Sequence, residues 1–478
     1  MSDWKMTIGI ECHVQLATKS KLFSPADNDA RDREPNSVVH PIDYGLPGML
    51  PLLNKEAVTL AVRAAKALSA EVASVSRFDR KHYFYPDLPM GYQITQMYQP
   101  TIGAGAVEVP MLDGTSVTVR IHHAHIESDA GKQTHYSDHT LVDLNRAGTP
   151  LIEIVSEPDM HSAAEARAFC TELYRLMTYA GVTHGDLYHG NMRFDVNVSV
   201  AKAGSDTLGK RAEVKNLNSF RSVERAAEYE FKRQVELLEK GEVVVQETRG
   251  WDDAKQKTNS QRSKEDAQDY RYMPDADIPP VILTTEQIER IQAGVGMLPS
   301  DFRRSFSTME LDGSVVTTLL SNKAHAQLVY DIQQASNDDA ARVANWFASV
   351  FKSPDEDGMD TTGESLPSID DLRELSRMTA VAEISSTSAK EIFLALVAGE
   401  AGSKAIAERR DLLQVSDESS IAAVVDEVLA DDESQKSITD IQSGNEKAIG
   451  FLVGQVMKRS AGKANPALAQ KLIRERLK

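Results

Sequence analysis

The feature that most constrains this chain is a set of strand-length runs whose polar side carries carboxylates and histidines. The first is IGIECHVQLATKSKLFSP, residues 8–25. Read with a period of two, Ile8, Ile10, Cys12, Val14 and Leu16 point one way, and Glu11, His13 and Gln15 point the other. Two readings fit. One is a half-buried strand with a wet outer face. The other makes Glu11 and His13 neighbours on the wall of a site.

Alternation of this kind dominates up to about residue 295, where the pattern changes. Beyond it come helical periods, in SVVTTLLSNKAHAQLVYDIQQA (314–335), DAARVANWFASVF (339–351) and SAKEIFLALVAGE (388–400). A second shift follows near 403–410, and the polar stretch 353–367 reads as an exposed loop. At 478 residues the chain is too long for one ordinary core. The expected architecture is α+β. A mostly antiparallel, cradle-like sheet domain (1–295) precedes an all-helical domain (296–408) and a small helical tail (409–478).

Bulk properties narrow the class. With 41% hydrophobic and 26% charged residues, the chain reads as a globular protein. No apolar run reaches the 18–20 residues or so that span a bilayer, so no membrane partner is expected. The opening MSDWKMT has no basic stretch followed by an apolar one, and no signal peptide is expected. Two cysteines, Cys12 and Cys170, make neither a disulfide framework nor a four-cysteine zinc site, and suit a reducing cytoplasm. A net charge of −18 argues against non-specific binding of nucleic acid by the whole surface. The end of the chain differs. From Lys458 onward, Arg459, Lys463, Lys471, Arg474, Arg476 and Lys478 face only Glu475. That segment is either a nucleic-acid contact or a solvated helix end.

Several chemistries are excluded by their missing parts. GSDTLGKR (204–211) has Arg211 where a phosphate-binding loop needs a hydroxyl for Mg²⁺, and it joins two strand-like runs, as a hairpin loop does. GAGAVE (103–108) lacks the third glycine of a dinucleotide fingerprint, and neither GxSxG nor HExxH occurs.

The positive signals lie on strands. In HIESDAGK, His125, Glu127 and Asp129 share a face, and the polarity flip at His122/His123 suggests a bulge. Glu153 interrupts Leu-Ile-Glu-Ile-Val (151–155). A lone ionised carboxylate there requires a partner: a metal, an arginine, or water at an edge. GNMRFDVNVSV sets Arg193, Asp195, Asn197 and Ser199 opposite Met192, Phe194, Val196 and Val198, and AEVKNLNSF repeats the idea with Glu213 and Lys215. Five carboxylates and His13 on one sheet repel one another unless cations intervene. Hard divalent cations take oxygen ligands, and Arg193, Lys215, Arg262 and Lys264 suit phosphate oxygens. The face suits metal-assisted phosphoryl transfer without a phosphate-binding loop.

With YGLPGMLPLLNKEAV, FDRKHYFYPDLPMGYQI, LVDLNRAGTPLIEIVSEPD, QRSKEDAQDYRYMPDADIPP and GQVMKRSAGKANP in the same order, the chain resembles the B subunits of the aspartyl/glutamyl-tRNA(Asn/Gln) amidotransferases. The resemblance runs from residue 8 to the last helix and is least specific in the helical middle. It implies ATP-dependent phosphorylation of the side-chain carboxylate of misacylated Glu-tRNA(Gln) or Asp-tRNA(Asn), then amidation by ammonia. The implied partners are the amidase (glutaminase) subunit of the same complex, its small joining subunit and the tRNA. By resemblance, His13, Glu127 and Glu153 hold one Mg²⁺, and Glu11, Asp195 and Glu213 a second, less tightly bound. The catalytic set is then Glu11, His13, Glu127 and Glu153. Lys458, Lys463, Lys471 and Arg474 belong to a tRNA-binding tail, and no structural zinc is expected. An imidazole ligand suits Mn²⁺ or Zn²⁺ better than Mg²⁺.

The chain departs from the family pattern at four positions near the site. Ser128 stands for the second glutamate of HIEEDAGK, His123 for an arginine, Met90 for the lysine of DLPKGYQ, and Asn191 for the serine of GSMR. They keep a competing reading alive, a tRNA-binding scaffold with an inactive pocket.

Overall fold

The computed structural model describes residues 3–263, 269–351, 366–414, 418–443, 445–460 and 463–477. Contacts among the described residues divide into one unit up to Asp301 and a second from Phe302. The expected loop at 353–367 falls largely outside the described residues.

The first unit is built on an eight-stranded sheet. Its strands are β1 (Trp4–Gln15), β2 (Gly105–Pro110), β3 (Ser116–Ser128), β4 (Pro150–Ser156), β5 (Met192–Lys202), β6 (Arg211–Leu217), β7 (Glu247–Asp252) and β8 (Lys257–Ser263). They lie in the order β8-β7-β6-β5-β1-β4-β3-β2. Every pairing is antiparallel except β6 with β7. The link between those two strands contains the helix α3 (Phe220–Glu239), the long crossover that parallel neighbours require. Residues 203–210 join β5 to its antiparallel neighbour β6, so GSDTLGKR is a hairpin connection.

The period-two pattern decides which face is buried. Ile8, Cys12 and Val14 are wholly inaccessible, as are Phe194, Val196 and Val198 on β5. The helices α2 (Ala163–Tyr179) and α3 supply Phe169, Leu173 and Met177, and Phe220, Val223 and Ala227, to the same core. Each such large side chain contributes roughly 1.5–3 kcal/mol through burial. Ser162 caps α2 by accepting from Glu165 N at 3.1 Å, and Ser219 caps α3 by accepting from Ser222 N at 3.1 Å. Gly181, at φ +67°, ends α2 in the left-handed turn that glycine adopts without strain. With its apolar side closed by helices, the sheet presents its polar residues on the opposite face.

The polarity flip in β3 has a structural cause. The register of β3 against β4 shifts between Ile121 and His123, a bulge of the kind the sequence suggests. A small sheet of Asp79–His82, Tyr92–Thr95 and Met273–Pro274 stands beside β3, tied to it by Gln93 Nε2 donating to Ser128 O at 3.0 Å.

The second unit is helical. Within it, Ile421, Val425, Val428, Leu452, Val456, Leu472 and Ile473 close a core of their own near the chain's end. Among the described residues, no helix is long and apolar enough to cross a membrane.

Candidate active site

The site is a product of strand register. His13 on β1 is directly opposite Glu153 on β4 and Arg193 on β5, and Glu11 is opposite Asp195. On the far side of β5, Asn197 pairs with Glu213 of β6. Glu153 also pairs with His125 of β3. Two clusters result. His13, Glu127 and Glu153 can bring one ligand atom each within 4.8 Å of one another, and so can Glu11, Asp195 and Glu213.

In the first cluster, His13 Nε2 lies 3.6 Å from Glu153 Oε2 and 3.8 Å from Glu127 Oε1. His125 closes the other side, its Nε2 3.4 Å from Glu153 and 3.7 Å from Glu127. Burial alone would depress His125, but the two carboxylates push it up to about 10. Burial likewise works against ionised Glu153. His125, then His13 and Lys81, outweigh it and hold the carboxyl well below its usual range. Among the described residues, Glu153 is thus neither alone in an apolar strand nor paired with an arginine; a histidine charge stands beside it.

Lys81, on the small sheet, was not singled out from the sequence. Its ammonium sits 4.9 Å from the Tyr270 ring centroid and 5.8 Å from that of Tyr83. Burial opposes its charge, but Glu127 and other anionic neighbours leave its pKa raised. His125 lay on the recognised polar face without a role. Lys81 lay inside FDRKHYFYPDLPMGYQI, whose electrostatic coupling to Glu127 no local period reveals.

In the second cluster, Lys215 is the central cation. Its Nζ is 2.9 Å from Asp195 Oδ2 and 2.9 Å from Glu213 Oε1. Burial would lower its pKa, but the two carboxylates more than offset that. Asn197 Nδ2 donates to Glu11 Oε1 at 3.0 Å, while its own Oδ1 is buried without a hydrogen-bond partner among the described residues. Glu11 is shifted upward, first by burial and then by the charges of Glu153 and Glu213. Thr248 Oγ1 donates to Glu213 Oε2 at 3.1 Å.

The expected phosphate cations are placed unevenly. Arg193 donates to Asp129 Oδ2 at 2.9 Å, and Asp129 is the first cause of its raised pKa. Lys215 lies in the second cluster. The side chain of Arg262, on β8, and the whole of Lys264 fall outside the described residues.

Of the four departures, Ser128 and Met90 line one cavity of about 140 Å³ together with Asp129. Asn191 donates to Gln15 Oε1 at 2.8 Å. His123 follows the bulge, its Nε2 3.2 Å from His125 Nδ1.

The basic end of the chain is less basic in three dimensions. Lys463 pairs with Asp411 and Arg459 with Asp431. Arg476 pairs with Asp426 at 2.8 Å, and Lys471 lies 3.9 Å from Glu475. Three of these acids come from outside the basic segment, so about half of its excess charge is met within the fold.

Comparison with known proteins identifies the family. Residues 6–289 match the family model described as the GatB/GatE catalytic domain, and residues 328–477 match the one described as the GatB domain. The chain is 43% identical over 479 residues to the B subunit of the aspartyl/glutamyl-tRNA(Asn/Gln) amidotransferase of Thioalkalivibrio sulfidiphilus, covering 99% of this chain and 100% of that one. It is 44% identical to the protein of the same description from Alkalilimnicola ehrlichii, with 99% of each chain covered. The counterpart from Burkholderia ambifaria is 42% identical, over the full length of both.

Proposed function

The chain belongs to the family of aspartyl/glutamyl-tRNA(Asn/Gln) amidotransferase B subunits, and from that membership we propose that it activates and amidates the side-chain carboxylate of misacylated Glu-tRNA(Gln) or Asp-tRNA(Asn). It does so in the cytoplasm, within a heterotrimer in which the glutaminase subunit releases ammonia from glutamine and a small third subunit joins the two larger ones.

The observation that carries this reading is the pair of carboxylate clusters side by side on the open face of the sheet, with Arg193, Lys215 and Lys81 between and around them. Glu127 and Asp195 are 4% and 6% exposed, and ionised carboxylates so enclosed need cations. The orphaned Asn197 Oδ1 fits an oxygen-ligated cation or its water. The donors therefore suit divalent ions: His13, Glu127 and Glu153 would hold one, and Glu11, Asp195 and Glu213 a second. Held by these residues, Mg²⁺ would supply charge neutralisation for a transferring phosphoryl group.

The protein's own groups do the rest. The acceptor carboxylate is already a nucleophile, so no general base is needed for its attack on the γ-phosphorus of ATP, which forms the acyl phosphate and breaks the bond to the β–γ bridging oxygen as ADP leaves. Arg193 and Lys215 orient phosphate oxygens. Ammonia then attacks the acyl phosphate carbonyl, phosphate leaves, and the nitrogen gives up a proton. The scaffold reading is less favoured, because relatives matched over the full length carry the amidotransferase description and residues 6–289 match the catalytic-domain model.

The test uses the assembled complex with γ-labelled ATP and Glu-tRNA(Gln). Glu153→Ala should abolish phosphate release and Gln-tRNA formation while tRNA binding and glutaminase activity persist. Normal turnover by this variant would remove the site.

A further inference from the structure

Lys215 occupies the place a divalent cation would take. Its ammonium contacts Asp195 and Glu213 at 2.9 Å each, and these are two of the three carboxylates of the second cluster. A compact ammonium and a divalent ion compete for the same oxygens, and the two cations repel at that separation. The lysine has somewhere to go. Its side chain is 36% exposed, on a flexible four-carbon stem, and it lies on the open face of the sheet. The cluster is also incomplete with lysine in it. Asn197 anchors Glu11 with its amide N–H, yet among the described residues its buried Oδ1 accepts nothing. A buried acceptor left without a donor is costly, and a cation or its bound water would satisfy it.

We infer that Lys215 is an exchangeable counterion, holding the Glu11–Asp195–Glu213 cluster while no nucleotide is bound and yielding it to a second divalent cation when phosphate oxygens draw the ammonium out. The inference rests on the reading of that cluster as a cation site. It makes the second cation and the nucleotide thermodynamically coupled, each raising the other's affinity by the same factor. A free cation then does not settle on the carboxylates ahead of the nucleotide.

The experiment counts Mn²⁺ bound to the full chain in its assembled complex by electron paramagnetic resonance, with and without a non-hydrolysable ATP analogue. Glu213→Gln serves to assign the second ion. Wild type should bind a Glu213-dependent ion only with the analogue. Lys215→Met should bind it without the analogue, with affinity raised about tenfold or more. Lys215→Gln should behave the same way, which guards against a folding defect in the first variant. A Glu213-dependent ion in nucleotide-free wild type overturns the inference and leaves the cation site standing. So does a nucleotide requirement that survives both substitutions. If no state binds a Glu213-dependent ion, the cluster is not a cation site and the inference falls with that reading.

Discussion

His13 Nε2 lies 3.6 Å from Glu153 Oε2 because β1 and β4 pair these two residues directly across the sheet. The contact joins an imidazole and a carboxylate in one proposed ligand set. Imidazole favours softer divalent ions than Mg²⁺. His13→Asp should therefore shift the cation preference of phosphate release from Mn²⁺ toward Mg²⁺, by about tenfold in the ratio of activating concentrations. Rates measured across a titration of each ion read the shift. An unchanged ratio would mean that His13 does not contact the cation.

Asp129 holds Arg193 at 2.9 Å and is itself approached by Arg146 Nε at 3.3 Å. Asp129→Asn keeps the shape and removes the charge that aims Arg193. ATP-dependent activation should fall about 10–100-fold, the cost typical of losing an outer partner, while Mn²⁺ binding stays intact. Full activity in this variant would leave Arg193 without the orienting role given to it.

His325, in the helical unit, offers a separate pH test. Its ring packs 4.4 Å from the Phe347 centroid and 4.6 Å from that of Phe351, and burial lowers its pKa to about 4. The unfolded chain takes up the proton near pH 6.5, whereas the folded one waits until about 4. The stability from the neutral ring is therefore present above pH 6.5 and lost as pH falls toward 4, by up to about 3 kcal/mol. Urea unfolding of the full chain, followed through the helical unit, should show this loss in wild type and its absence in His325→Leu. Parallel pH profiles for the two proteins would contradict it.

The ion pairs at the chain's end set a direction for tRNA binding. Lys463 is engaged by Asp411, so Asp411→Asn should free it and tighten tRNA binding. Lys458→Ala should weaken binding and reduce the salt slope by about one unit. Filter binding across a salt series distinguishes these outcomes. If both variants match wild type, the tail is a solvated helix end.

Much of the sheet was legible in the sequence because burial acts on every second residue of a strand. The sets Ile8, Ile10, Cys12 and Val14, and Phe194, Val196 and Val198, mark the covered face of β1 and β5 directly. The same alternation put Glu11, His13, Asp195 and Glu213 on the open side. Even the bulge left a trace, since inserting one residue inverts the pattern at His122/His123.

Grouping was decided by tertiary structure. Nothing in the local spacing says that β1 lies between β4 and β5, yet that order sets His13 against Glu153 and Glu11 against Asp195. Lys81 feels the charge of Glu127 from a separate small sheet, and Asp411, Asp426 and Asp431 return to offset part of the charge of a segment that reads as basic along the chain. The physical reason is one of range. Alternation reflects each residue's own exchange between water and core and is written locally. Charge pairing acts between residues that only strand register and chain reversal bring together, so its partners emerge from the fold.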